Sequence, residues 1–310
     1  MKLNNVKTIR GNQYIDTWVE AIQENKLAYL FLVPLLSFII FLVWVPFLQG
    51  IWMSLHTWPF GSGEATFVGL DNYTYLFTWD GFYTGLKATI IYGFATVLQL
   101  VIALVAALTI NKVRFKSILS GMYLLPYTMP PVATGTLWLF LLDPSLGPVF
   151  GFLTKHGILD EPIYWSTSGD TALAAITLVG AWTFWPFMFI ILYATLVSIP
   201  DEYYESAKVY GASRIQTFRY VTLPQMKTAI FVVFTLRIVW NLTKISQPLQ
   251  MTHGGPGNDT SILSLLLYRF AFVRGNLGMA FAVGLIFLLL VFGFIILFIR
   301  SYEKQEGNQI

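Results

Sequence analysis

The sequence has no cysteine, only three histidines and very little charge. Without cysteine there can be no disulfide, no thiolate metal site and no cysteine nucleophile, although the compartment stays undecided. His56, His156 and His253 lie far apart, and none has a second ligand at metal spacing. No Gly-x-Ser-x-Gly is present, nor an acidic pair within an apolar run that could relay protons. The phosphate-cradling pattern Gly-x-x-x-x-Gly-Lys followed by Ser or Thr is also missing, so the chain does not hold ATP itself. Asp, Glu, Lys and Arg make up 11% of the 310 residues. Soluble domains carry about 25%, so this chain cannot cover an ordinary water-facing surface. A net charge of +3 is too small to suggest a nucleic-acid partner, and 17% aromatic residues argue against disorder. What the chain does have is 56% hydrophobic residues in long runs with scattered Gly and Pro. That describes a polytopic membrane protein built from helices, because barrel strands would alternate every second residue.

A helix needs about 20 apolar residues to cross a bilayer. Residues 27–55, 88–110, 117–142, 171–200 and 277–299 meet that length without a single charge. A sixth stretch, 228–251, is apolar but carries Arg237, Asn241 and Lys244. The expected fold is therefore all-α with six transmembrane helices forming one domain over residues 27–300. The first stretch starts late and is too long for a signal-peptide core, so it reads as retained.

Basic residues set the orientation. They cluster in the N-terminal arm (Lys2, Lys7, Arg10, Lys26), between spans two and three (Lys112, Arg114, Lys116), after span four (Lys208, Arg214, Arg219, Lys227) and in the tail (Arg300, Lys304). Of the alternate loops, 55–80 has none and 143–170 has only Lys155. Lys244, Arg269 and Arg274 weaken the bias without reversing it. A multi-pass protein of the inner or plasma membrane with both termini in the cytoplasm is expected. Residues 1–26 form a cytoplasmic arm in which Ile15, Trp18, Val19 and Ile22 recur at helical spacing, predicting an amphipathic helix on the membrane or the bundle. Residues 301–310 form a cytoplasmic tail. Asn72-Tyr-Thr, Asn241-Leu-Thr and Asn258-Asp-Thr match the short glycosylation pattern and are read as chance.

The cytoplasmic segment 199–225 is too structured for a simple connector. Ser198 with Asp201 reads as a capping box, and Pro200 is tolerated in a first helical turn. Asp201, Glu205 and Lys208 share one face of that helix, with Tyr203, Ala207 and Tyr210 on another. Gly211 can close the helix in the left-handed conformation. Ser213 with Gln216 opens a second helix that turns Ile215 and Phe218 inward, and Leu223-Pro224 ends it and opens the fifth span. A short helix, a glycine turn and a second helix outside the membrane suit a docking surface for a cytoplasmic partner.

Glu205-Ser206-Ala207, Gly211-Ala212-Ser213 and Leu223-Pro224 resemble the EAA motif of binding-protein-dependent ABC importer permeases. Further pieces resemble the sugar-importing branch: Phe67-Val68-Gly69-Leu70-Asp71-Asn72-Tyr73 in the first outer loop, Leu125-Pro126 with Trp138 and Gly147, and Thr252-His253-Gly254-Gly255-Pro256 with Asn258 and Thr260. In order, these pieces cover about residues 27–300, and their variety looks like the first of the two permeases. The resemblance implies a type I permease fold and no enzymatic activity on this chain. It assigns Glu205, Ser206, Ala207, Gly211, Ala212, Leu223 and Pro224 to ATPase coupling. It also implies a second homologous permease, two ATPase subunits that bind the ATP and Mg, and an extracytoplasmic sugar-binding protein. No cofactor is expected on the chain itself. Three positions depart from the family pattern: Ser206 replaces alanine, Tyr210 stands where aspartate is common, and Ile245-Ser246 stands where Phe-Asp is common.

In span five, Arg237, Asn241 and Lys244 follow at i, i+4 and i+7 and are expected on one helix face. A charge at mid-membrane costs roughly 2.5–3.5 kcal/mol, so that face must look into protein or water. Tyr92 and Gln99 on span two, with Thr96 between them, and Trp182 and Trp185 on span four complete a set suited to sugar hydroxyls and ring faces. The expectation is a substrate path, with a buried structural network as the competing placement. An autonomous secondary transporter or channel for a polar solute is the alternative function. It would call for acidic relays or repeated halves, and the sequence has neither.

Overall fold

The computed structural model describes residues 25–307, apart from 60, 62, 63, 111 and 112, and the side chains only as far as 302. The helix expected in the N-terminal arm and the basic residue Lys112 lie outside the described residues.

The chain has two units, 1–53 and 54–310. In its described residues the first is helix α1, Lys26–Ser54, up to Met53. Its turn widens to π geometry at Ile40–Trp44, just before Pro46. A proline ring presses on the carbonyl four residues back, and a wide turn relieves that clash.

The second unit opens with a small antiparallel hairpin, β1 (His56–Thr57) and β2 (Thr66–Phe67), followed by α2 (Asp71–Thr78). Asn72 explains the outer-loop motif. It is buried, and its amide donates to the carbonyls of Ser54 at 2.8 Å and His56 at 3.1 Å, tying α2 to the hairpin. Next come α3 (Asp80–Ile110), α4 (Lys116–Thr128), α5 (Pro131–Leu141), α6 (Pro148–Lys155) and α7 (Gly169–Ser198). The rest is α8 (Asp201–Val209), α9 (Arg214–Thr243), α10 (Ser246–Thr252), α11 (Leu263–Val273) and α12 (Leu277–Gly307).

Among the described residues, five helices are long and apolar enough to cross a membrane: α1, α3, α7, α9 and α12. The stretch expected as a single third span is delivered as α4 and α5. Pro130 and Pro131 together remove two backbone donors and push Met129 and Pro130 into extended conformations, with ψ of 136° and 133°. Pro131 then starts α5, where its missing N–H costs nothing.

The fifth span differs at both ends. Leu223-Pro224 does not separate two helices, because α9 runs continuously from Arg214 through a π turn at Phe218–Thr222. That turn again ends two residues before a proline and absorbs it as in α1. At the other end α9 stops at Thr243, Lys244 is extended, and α10 starts afresh at Ser246.

The core of this unit rests on α3 against α7. Ala88, Ala95, Ala103 and Ala107 on α3 are buried, as are Ala172, Ala175, Gly180 and Ala181 on α7. Small residues at these spacings let two helices approach closely where lipid provides no hydrophobic drive. The contact of α5 with α10 follows the same logic: a Cβ at Gly135 would sit 2.8 Å from the Cβ of Gln250. That neighbour is anchored to its backbone and cannot swing aside. Gly135→Ala is expected to lower stability by about 1–3 kcal/mol, through overpacking, in a melt of the detergent-solubilised complex.

Candidate functional site

Two groups of residues stand out, one outside the apolar helices and one between them.

The first is α8 and its turn into α9. Ser198 does not cap α8: it is the last residue of α7, its hydroxyl donates to the Thr195 carbonyl at 2.8 Å, and Pro200 takes the N-cap position. Asp201 and Glu202 occupy the first turn and Lys208 the last, each favourable to the helix dipole. The helix closes on two bonds, from Gly211 N to the Lys208 carbonyl and from Ala212 N to the Ala207 carbonyl, both 2.9 Å. This is a Schellman motif, and it needs the left-handed conformation that Gly211 adopts at φ +72°. The second capping box read from the sequence is present, with Ser213 N donating to Gln216 Oε1 at 2.8 Å and Gln216 N to Ser213 Oγ at 3.4 Å.

No residue of α8 is buried, and Glu205 and Ser206 are exposed. Tyr204 ties the helix to the π turn of α9 through Thr222, hydroxyl to hydroxyl at 3.3 Å. Tyr204 and Lys208 border a groove of about 920 Å³ that also touches Tyr193 and Leu196 of α7. Val209 (86% exposed), Tyr210 (88%) and Ile215 (79%) project outward. The sequence placed Ile215 and Phe218 inward; Phe218 is half-buried and lines the groove, but Ile215 lies on the side of α9 away from it and is exposed. Ala207 and Ala212 are half-buried, whereas Leu223 and Pro224 are exposed on α9.

The second group joins α3, α7 and α9. Arg237 is fully buried, and Gln99 and Asn241 are essentially so. Arg237 Nε donates to Gln99 Oε1 at 3.1 Å and its Nη2 to Asn241 Oδ1. Asn241 Nδ2 donates to Thr96 Oγ1 at 2.7 Å and to Gln99 Oε1 at 3.2 Å, and Gln99 Nε2 donates to the Gly180 carbonyl at 3.0 Å. No carboxylate is among these partners. The guanidinium is compensated by amide oxygens and by the faces of Phe184 (4.7 Å) and Trp240 (5.9 Å). Its Nη1 and the buried hydroxyl of Tyr92 have no hydrogen-bond partner among the described residues.

Lys244 is not on the helical face expected for it, because α9 ends one residue earlier. It still meets the group, with its ammonium 4.0 Å from the centre of the Phe184 ring. Trp182 and Trp185 also sit on α7, but their ring contacts are with other helices and with α7 itself. Trp182 is half-buried and packs edge-on against Trp138, with 5.2 Å between ring centres, and Trp185 is buried against Tyr123 at 5.2 Å. Phe184, whose ring takes both cations, escaped the sequence reading. One phenylalanine in an apolar helix looks like any other lipid- or core-facing side chain until its neighbours are known. Gln247 likewise went unnoticed: it is buried, with neither side-chain oxygen nor nitrogen bonded.

The comparisons with known proteins agree with this architecture. The chain is 29% identical to the probable ABC transporter permease protein YurN of Bacillus subtilis (strain 168), over 92% of this chain and 100% of that one. It is 30% identical to the trehalose/maltose transport system permease protein MalF of Thermococcus litoralis, over 90% and 94% of the two chains. A subunit in the crystal structure of a bacterial ABC transporter involved in the import of the acidic polysaccharide alginate superposes with a TM-score of 0.77. That superposition covers 93% of this chain and 99% of that one at 21% identity, so it is a likeness of fold, that of a type I ABC importer permease. The family model for the inner membrane component of binding-protein-dependent transport systems matches residues 99–302. With about two-thirds of its length matched by that model, the chain belongs to the binding-protein-dependent transport system inner membrane components, the non-enzymatic permease subunits of ABC transporters.

Proposed function

We propose that this chain translocates a saccharide or sugar derivative inward, receiving it from an extracytoplasmic binding protein and working with a second, homologous permease and two ATPase subunits. The observation that carries this reading is the exposed α8–Gly211–α9 turn, built rigidly by a Schellman motif and a capping box although no residue of α8 is fully buried. A rigid element with an outward apolar edge at Val209, Tyr210 and Ile215 suits a cleft on a partner protein. The saccharide is supported by the relatives' own names, trehalose and maltose for MalF and alginate for the solved importer.

In this scheme ATP and Mg stay on the ATPase subunits, and this chain binds no cofactor. Closing of the ATPases on ATP moves α8, and the permease pair switches which side its path opens to. Both termini face the cytoplasm, in keeping with the basic residues at Lys208, Arg214, Arg219 and Lys227. The path runs along the α7–α9 wall. Lys244 and Trp182 are its accessible edge, and Trp185, Asn241, Arg237, Gln99 and Tyr92 form the layer behind, brought to substrate as the bundle switches.

Co-purification and transport test the scheme together. The tagged chain, expressed with its neighbours and extracted from membranes, is expected to bring down an ATPase and to support ATP-dependent saccharide uptake in proteoliposomes. Uptake or conductance by the chain alone, without ATPase, would overturn it in favour of an autonomous carrier or channel.

A further inference from the structure

Lys227 lies on α9 ten residues before Arg237, about 15 Å along the helix, on the proposed cytoplasmic side. Its ammonium nitrogen is buried and makes no hydrogen bond to any described residue. The nearest compensation described is the face of Tyr302 on α12, 5.3 Å from nitrogen to ring centre. That ring is held in place: it stacks on Phe231 at 4.0 Å, and its hydroxyl meets Thr228 Oγ1 at 3.0 Å. Beside the ammonium opens a recess of about 320 Å³, lined by Leu100 of α3, Ile230 and Phe234 of α9, and Phe298 and Ser301 of α12. The recess is therefore cationic at one end and aliphatic and aromatic along the rest.

A buried cation without a partner costs several kcal/mol, and an apolar recess beside it asks for an amphipathic anion. We infer that this recess binds one anionic phospholipid of the inner leaflet, its phosphodiester oxygens accepting from Lys227 and an acyl chain lying along Ile230, Phe234 and Phe298. A sugar does not suit it, since apart from Lys227 the lining provides only hydroxyls already engaged: Ser301 donates to the Leu297 carbonyl and Tyr302 meets Thr228. A purely apolar partner helix would leave the ammonium unpaired. The choice of leaflet rests on the orientation proposed above; the recess and its charge do not.

The test uses the full-length chain with its partner subunits, purified in mild detergent and exposed to equal amounts of phosphatidylglycerol and phosphatidylcholine with identical acyl chains. Native mass spectrometry is expected to find one phosphatidylglycerol retained per copy, favoured about fivefold over phosphatidylcholine, the effect of one lysine on an anionic headgroup. Lys227→Gln should abolish the preference and Lys227→Arg should keep it. Equal retention of the two lipids by the unmodified complex would overturn the inference without recourse to any variant. So would an undiminished preference in Lys227→Gln, or displacement of the lipid by excess inorganic phosphate, which would make this a site for the free anion. Saccharide uptake by the unmodified complex tests the transport reading separately, and a failed lipid preference leaves that reading standing.

Discussion

Gly211→Val is expected to cut ATP-driven uptake about tenfold or more while leaving the apolar helices folded. The reasoning starts from space. A Cβ at Gly211 would meet nothing within 4 Å, so no clash opposes a side chain there. What opposes it is φ of +72°, a conformation costing an ordinary residue roughly 1–2 kcal/mol and a β-branched one more. The chain can escape that strain only by opening the turn, which breaks the bonds from Gly211 to Lys208 and from Ala212 to Ala207 and swings α8 away from α9. Gly211→Asn, which tolerates the left-handed region, should retain most of the activity. Glu205→Lys attacks the same surface differently, by reversing an exposed charge on a helix whose fold does not depend on it. Both Gly211→Val and Glu205→Lys are expected to assemble and yet lose the stimulation of ATP hydrolysis by loaded binding protein. Normal stimulation in both would remove α8 from the coupling role.

The second large effect is expected at Asn241. Its side chain serves four groups at once: the guanidinium of Arg237, both polar atoms of the Gln99 amide and the hydroxyl of Thr96. Asn241→Ala removes one of the two acceptors of a buried cation and the donor to Thr96, and takes one bond from each polar atom of Gln99, which keeps Arg237 Nε and the Gly180 carbonyl, a loss of about 2–3 kcal/mol. A melt of the purified complex should show that loss directly. If Asn241 also belongs to the layer that meets substrate, uptake per folded transporter should fall by a further order of magnitude, roughly the worth of one hydrogen bond to a polar ligand. A complex that melts early but transports normally per folded molecule would confine Asn241 to a structural role. Arg237→Met separates the contributions from the other side. It removes the charge together with the need to satisfy it and is expected to cost less stability than Asn241→Ala.

Much of this protein is determined by its sequence alone, and what is legible there is local. Hydrophobic runs of sufficient length fix the class and where most of the long apolar helices lie, because the need to bond every backbone group inside lipid leaves little choice of structure. The glycine turn and second cap of the α8–α9 element are equally legible. Gly211 and the Ser213–Gln216 pair act over three or four residues, and no distant contact is needed to form them. The first cap failed for a related reason: Ser198 had a competing local partner in the helix before it, the carbonyl of Thr195. Tertiary structure alone decided how the sixth stretch is divided, how α9 runs through Pro224, and how the charge of Arg237 is accommodated. Arg237 and Gln99 are 138 residues apart, and the Phe184 ring that meets both Arg237 and Lys244 belongs to a third helix. In a water-soluble helix the apolar stripe would have announced which face turns inward. In helices that are apolar on every side it does not, so rotation, register and the partner of each buried polar group emerge only when small residues such as Ala103, Ala107 and Gly180 let the helices close on one another.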